Sequence, residues 1–317
     1  MSPLPFLRTM AVLLCTLCVT SIGQRKEWVP YSHEELVKAA VSNNSYAQAV
    51  LGLYLIYGEL GYAVDLDLAK KWSSKSITAN EPIGFFNLGG IYKLEGNLTE
   101  ASRYYKKARS ALDERIIEND AVSLFVLGKL MFEIIPTDKP KALALYQRSA
   151  SLGFSLAQGT LGDYYLSGLP GLLEKNVQKG IELLKKSVKA HSLKGRYQLG
   201  MAYLKGESLT PKADSGMDLL ELAVSQKSRE AQFALSQLLM NGGSGYQSNP
   251  DRAKQLLNLA AAQGHADARA ELEERMQREL ENLLGEGSSD SEGVDSSPSP
   301  LAFEEEQAEN VDHGGAE

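Results

Sequence analysis

Apolar and small residues recur along this chain with a helical period, and the phrase that carries them itself repeats. "YAQAVLGLYLIYG" (46–58) returns as "SLAQGTLGDYYLSG" (155–168) and again as "GRYQLGMAYLKG" (195–206). With one leucine of each phrase as reference, the series runs Leu51, Leu88, Leu127, Leu161, Leu199, Leu235 and Leu272, at intervals of 37, 39, 34, 38, 36 and 37 residues. Periods of this length belong to stacked repeats. Four residues before each reference stand Ala47, Gly84, Ser123, Ala157, Gly195, Ala231 and Ala268, all small. Four residues after it stand Leu55, Tyr92, Met131, Tyr165, Tyr203, Leu239 and Met276, all apolar. Positions i, i+4 and i+8 share one face of an α-helix, so each phrase predicts a helix whose small residues let a neighbour approach closely.

A second helix is predicted in each unit. It carries a small residue at Ala69, Ala101, Ala142, Gly180, Gly216 and Ala253. Four residues earlier stand Asp65, Asn97, Asp138, Asn176 and Asn249, with Thr210 before Pro211 in the same role. Asp, Asn and Thr side chains accept hydrogen bonds from the free N–H groups of a first helical turn. Asn43, Asn80, Asn119, Gly153 and Gly264, and less comfortably His191 and Lys227, stand where each second helix should stop in the left-handed region. The second unit departs from its siblings: "EASRYYKKARSALDERIIEND" predicts a longer helix, from about Glu100 to Glu118. Ser32-His33-Glu34-Glu35 is a capping box that opens a lone helix, and 267–284 reads as a lone first helix with a charged exposed side. The fold class expected is all-α: an α-solenoid of about six helix-turn-helix repeats with capping helices, over residues 32–284.

Residues outside that span read differently. Arg8, the apolar run "MAVLLCTLCV" (10–19) and Ser21-Ile22-Gly23 have the order of a secretory signal peptide over 1–23. The apolar run is too short to cross a bilayer, so no membrane span is expected in the mature chain. Residues 24–31 form a short linker. Both cysteines, Cys15 and Cys18, lie in the leader. The mature chain therefore offers neither disulfide nor thiolate metal site. Residues 285–317, rich in Ser, Gly, Pro and Glu, read as a disordered acidic tail. From Leu284 onward there are ten acidic residues and no Lys or Arg, so the formal charge of −7 leaves the remainder near neutral, at +3. That near-neutral balance argues against a nucleic-acid partner, whose surface demands net basic charge.

The columns A-x-x-x-L-G-x-x-x-Y, then D/N-x-x-x-A, then a glycine-like stop resemble the Sel1-like repeat, a relative of the tetratricopeptide repeat. The resemblance covers roughly Ser32 to Leu284, with Ser236 and Glu273 in place of the glycine in the last units. It implies a right-handed superhelix of helical hairpins that binds proteins or peptides. The family also includes exported bacterial proteins, endoplasmic-reticulum adaptors, and cysteine-rich members linked to β-lactam binding or hydrolysis. This mature chain lacks the cysteines of the last group.

Candidate chemistry is sparse. No serine before the tail has Lys three residues on, no Lys-Thr-Gly occurs, and "HEELV" (33–37) has Val37 where a zinc-protease helix needs its second histidine. His33, His191, His265 and His313 lie far apart in the repeat map. No metal, cofactor or catalytic residue is therefore expected. "NGGSGYQSNP" (241–250) reads as a long turn between two helices. Asn43-Asn44-Ser45 and Asn97-Leu98-Thr99 match glycosylation acceptors, although a helix stop and a helix cap already account for Asn43 and Asn97. Positions one before and two after the reference leucine share a flank of the first helix. Where polar they are Asn87, Lys129, Thr160, Asp163, Gln198 and Gln237, the expected partner-binding row on the concave face. The function expected is an exported, periplasmic or extracellular scaffold for a protein or peptide partner. A cell-wall or β-lactam enzyme and a luminal adaptor remain as alternatives; the terminal "GGAE" carries no retention signal, which counts against the adaptor.

Overall fold

The computed structural model describes residues 32–114, 119–206, 213–242 and 247–286. The leader, the linker, Thr210, residues 243–246 of the 241–250 turn and nearly all of the acidic tail lie outside the described residues. The architecture is a right-handed α-solenoid of fourteen helices with no strand among the described residues. The first compact unit extends to Leu272. It opens with the lone helix α1 (His33–Val41). Six antiparallel pairs follow: α2 (Ser45–Tyr57) with α3 (Leu66–Ser76), α4 (Pro82–Leu94) with α5 (Leu98–Asp113), and α6 (Ala121–Lys129) with α7 (Lys139–Ser151). The remaining pairs are α8 (Ser155–Ser167) with α9 (Val177–Lys189), α10 (Leu193–Leu204) with α11 (Ala213–Ser225), and α12 (Arg229–Asn241) with α13 (Pro250–Ala262). The last helix, α14 (Ala266–Glu286), begins in this unit. From Glu273 its turns belong to a second unit, where Met276, Leu280 and Leu283 are exposed.

The caps sit where the polar pattern puts them. Ser32 Oγ accepts from the Glu35 N–H while Glu35 Oε2 accepts from the Ser32 N–H at 3.0 Å, closing the capping box. Asp65, Asn97, Asp138, Asn176 and Asn249 each accept from a first-turn N–H. Asn43, Asn80, Gly153, His191, Lys227 and Gly264 all have positive φ and turn the chain between repeats. Helix α5 is longer than its counterparts, at 16 residues against 13 in α7 and α9. It ends at Asp113 with Glu114 as its cap, short of the expected Glu118, and residues 115–118 fall outside the described residues.

Burial separates an inner from an outer layer. Every residue from Ala47 to Ile56 of α2 is buried, whereas α9 buries only Gly180, Ile181, Leu184 and Ser187. A helix apolar all round belongs inside, and an amphipathic one covers it. The two layers approach to backbone contact. A Cβ added to Gly180 would lie 2.8 Å from the Gly162 carbonyl oxygen, and one on Gly200 would lie 2.9 Å from that of Gly216. The paired glycines thus let first and second helices pack closer than any side chain permits, and Leu184 and Leu220 fill the space beside them with no exposed surface. Each such leucine contributes roughly 1.5–3 kcal/mol.

Helix α6 differs from its siblings in one way the repeat pattern does not announce. It runs into a π-helical turn, Leu130–Ile134, closed by a bond from the Ile135 N–H to the Leu130 carbonyl at 2.7 Å. Glu133 lies in that turn.

Candidate functional site

The superhelix closes on itself. The loop after α2 holds a one-turn 3-10 helix, Glu59–Gly61, in which Leu60 has φ 53°, flanked by Gly58 and Gly61 at positive φ. A leucine in this region is strained and persists only where its surroundings hold it. Here they do. Gly58 O accepts from the Leu193 N–H at 3.2 Å, the Gly61 N–H donates to His191 O at 3.3 Å, and the Val64 N–H donates to Gln226 O at 3.2 Å. Gln226 Nε2 returns a bond to Gly61 O at 3.1 Å and accepts one from Arg196. Glu59 is completely buried at the centre of this junction and accepts from Ser192 Oγ at 2.6 Å and from Ser155 Oγ. Burial pushes its carboxyl up to about 7, although the two serine hydroxyls and the charges of Lys194 and Arg196 pull the other way. A second tie joins Arg269 Nη2 to Leu94 O at 3.0 Å. The first repeat is thereby fastened to the junction of the fourth and fifth, and the second to the end of the sixth.

This closure encloses a cavity of about 330 Å³. Its walls are the C-terminal ends of the first helices of repeats one to three and the N-terminal ends of those of repeats five and six: Tyr57, Leu94 and Glu133 on one side, Lys194, Tyr197 and Glu230 on the other. Lys129, Gln198, Arg229 and the second-helix residue Tyr105 also face it. Two ion pairs are internal to the wall, Lys129 with Glu133 and Arg229 Nε with Glu230 Oε1 at 3.1 Å. Glu133 further accepts from Tyr146 Oη at 3.0 Å and Tyr164 Oη at 3.2 Å. Burial would raise the Glu133 carboxyl, but Lys129, Lys194 and the Tyr146 hydroxyl together hold the group below its ordinary value. Glu230 is held low in the same way, with Arg229 opposing its burial. The Tyr57 and Tyr105 hydroxyls are pushed up by burial and stay protonated donors. Among the described residues, Lys194 makes no salt bridge, and the hydroxyls of Tyr57, Tyr105 and Tyr197 have no hydrogen-bond partner. The cavity wall mixes aliphatic surface from Ile56, Val64, Leu94 and Leu193 with these donors, and its size suits a few residues of a polypeptide or a small molecule.

Of the six residues expected on the concave face, Lys129 and Gln198 line this cavity. Asn87 and Thr160 are instead buried in the stack. Asn87 Nδ2 donates to Ala49 O at 2.8 Å and to Ser73 Oγ at 3.1 Å, which makes it a bond between repeats. Asp163 is half-buried away from the cavity, and Gln237 donates to Glu271 of the last helix. Sequence reasoning missed Lys194 and Glu230, yet their column carried a signal. Five residues before the reference leucine stand Tyr46, Ile83, Val122 and Leu156, then Lys194 and Glu230. Ile83, Val122 and Leu156 are fully buried against the preceding repeat; the charged pair faces the cavity.

Among the described residues no group of three or more His, Cys, Asp or Glu side chains is placed to hold a metal ion, and no helix is long and apolar enough to cross a membrane. Six hairpins of one pattern, stacked and closed around a cavity, define a helical-repeat scaffold. The Sel1 repeat signature matches residues 45–81, 122–154, 155–192, 193–228 and 229–265, together more than half of the chain. The chain belongs to the Sel1 repeat family. The matched segments pass over 82–121, the repeat with the long helix α5.

No curated protein matches the chain in sequence. Among solved structures it is similar to a protective antigen of uropathogenic Escherichia coli displaying an SLR fold, with 22% identity over 77% of this chain and a TM-score of 0.42. The chain spans 51% of that antigen, about half its length. It is also similar to a Sel1 repeat protein from Oxalobacter formigenes, with 22% identity over 73% of this chain and 94% of the other at a TM-score of 0.41. A third is an immunity protein of Pseudomonas aeruginosa, with 16% identity, coverage of 70% and 83%, and a TM-score of 0.40.

Proposed function

We propose that this chain is an exported scaffold that holds a protein segment or peptide in the concave groove of its Sel1 repeats. Solenoids of this family serve generally as non-enzymatic platforms for protein interaction. The observation that carries the reading is the cavity wall itself. Lys194 and three tyrosine hydroxyls face about 330 Å³ of space without a described partner of their own. None of these donors is sealed from solvent, so they stand open in the cavity for a bound backbone or side chain to accept from. The two internal ion pairs leave the wall with more cations than carboxylates, which favours an occupant with acceptor or anionic groups. Export rests on the order of charges, apolar residues and small residues in 1–23.

The test is capture from the exported fraction of the source organism with the mature full chain and with Lys194→Glu. A partner bound by the parent and lost from the variant, at unchanged melting temperature, supports groove binding. Equal capture by both would overturn it.

A further inference from the structure

The second helices carry another pattern, at exposed positions that do not line the cavity. Six residues after the small residue of each second helix stand Lys75, Lys107, Arg148, Lys186, Leu222 and Leu259. All six are exposed, Leu222 at 46% and Leu259 at 51%. One column of the repeat therefore forms a ridge of four cations in register followed by two leucines.

Most of the cations are not neutralised. Lys186 pairs with Glu182 at 2.7 Å. Lys75 Nζ instead sits 4.6 Å over the Trp72 ring and Lys107 Nζ 5.7 Å over that of Phe85, while Arg148 donates to Asn119 Oδ1 at 2.8 Å. Among the described residues none of these three has a carboxylate partner. Aromatic and amide supports hold the heads in place but leave their charge unspent. Solubility is served by mixed signs, and a single sign repeated at one column costs some mutual repulsion. The sign then gives way, in the two remaining repeats, to exposed leucine.

We infer that this ridge docks an extended acidic polypeptide segment that carries a bulky apolar residue at the end lying over Leu222 and Leu259. The shape favours a chain over a lipid surface. The loop after α2 already meets the turn at His191–Leu193, so the first four repeats have come round on themselves. Their outward columns face different directions. A planar anionic bilayer meets only part of such a ridge at once, whereas a flexible chain follows it. The second helices do not pack on one another, so successive positions lie farther apart than the roughly 10 Å of packed helices. An extended chain advances about 3.3 Å per residue, so a segment of about 20 residues or more is needed to reach along the six positions.

The probe is a fluorescein-labelled peptide of about 20 residues, alternating Glu and Ser, with Leu-Leu at one end. It is titrated into the full mature chain, and anisotropy is read at two salt concentrations. We expect binding that weakens steeply with salt. The variant Lys75→Glu, Lys107→Glu, Arg148→Glu, Lys186→Glu should lose at least tenfold, and Leu222→Ser with Leu259→Ser should lose several-fold. The milder pair Lys107→Ala and Arg148→Ala should already lose a few-fold at unchanged melting temperature, which keeps the test valid if fourfold reversal disturbs folding. The idea is overturned if ridge substitutions leave peptide affinity unchanged, if the peptide does not bind, or if vesicles of anionic phospholipid bind the ridge and the peptide does not.

Discussion

Glu59 and Ser192 lie 133 residues apart in the chain and share a hydrogen bond of 2.6 Å in the buried seam where the superhelix meets itself. The same carboxyl accepts from Ser155, 96 residues away. The seam is what turns an open stack of hairpins into a bounded groove, and an ionisable group stands at its centre.

That placement makes stability depend on pH. The Glu59 carboxyl titrates at about 7 in the fold against an ordinary value of 4.5. A group raised by folding favours the protonated folded state. Its contribution is therefore fully present below 4.5 and is lost as pH rises through 7. The loss amounts to about 3 kcal/mol at most. Glu59→Gln keeps a neutral, hydrogen-bonding side chain in the seam. Urea unfolding should show the variant gaining on the parent at pH 8 and nearly matching it at pH 5. A difference of the same size at both values would remove Glu59 as the cause.

The close approach of first and second helices predicts opposite outcomes at two helical glycines. Gly180→Ala places a Cβ 2.8 Å from the Gly162 carbonyl and should cost roughly 1–3 kcal/mol, lowering the melting temperature by several degrees. At Gly90 the nearest atom to an added Cβ is Tyr105 Oη at 3.7 Å, an ordinary contact. There Gly90→Ala should add about 0.5–1 kcal/mol through helix propensity alone. Thermal melts of the two variants should shift in opposite directions.

Asn87 separates structural from binding roles. Its amide joins Ala49 O to Ser73 Oγ with no surface exposed. Asn87→Leu should lose about 2 kcal/mol of stability by leaving those acceptors unpaired. It should still capture the same partner well below its melting temperature. Lost capture with unaltered melting would place Asn87 in the binding surface instead.

The scaffold reading also predicts that the purified chain, incubated with a chromogenic β-lactam, produces no colour above buffer. Turnover that follows protein concentration would contradict it.

Much of the fold was legible because the repeats are built from local signals. Asp65 and Asn176 cap helices three residues ahead of them, and the Leu-Gly columns face a helix in the same unit, so a short window contains both partners of each contact. The seam was not legible for the opposite reason. Nothing near Glu59 in the sequence says that Ser155 and Ser192 meet it, because that depends on how far each repeat rotates past the last. The binding row suffered from the same gap. Adjacent positions on one flank of a helix become interior, as at Asn87, or face the cavity, as at Gln198, according to where in the turn of the superhelix their repeat falls. Lys194 and Glu230 show where a local sign existed, since a first-turn column that is apolar in four repeats turns charged where it leaves the core.

The most direct test of the central claim is photo-crosslinking from the groove. Benzoylphenylalanine is placed at Gln198 in one chain and at Lys254, on the outer face, in another, and each is irradiated with the partner captured from the exported fraction. The account predicts a partner adduct from position 198 and none from 254. A partner that remains bound, crosslinks from 254 and never crosslinks from 198 would contradict it.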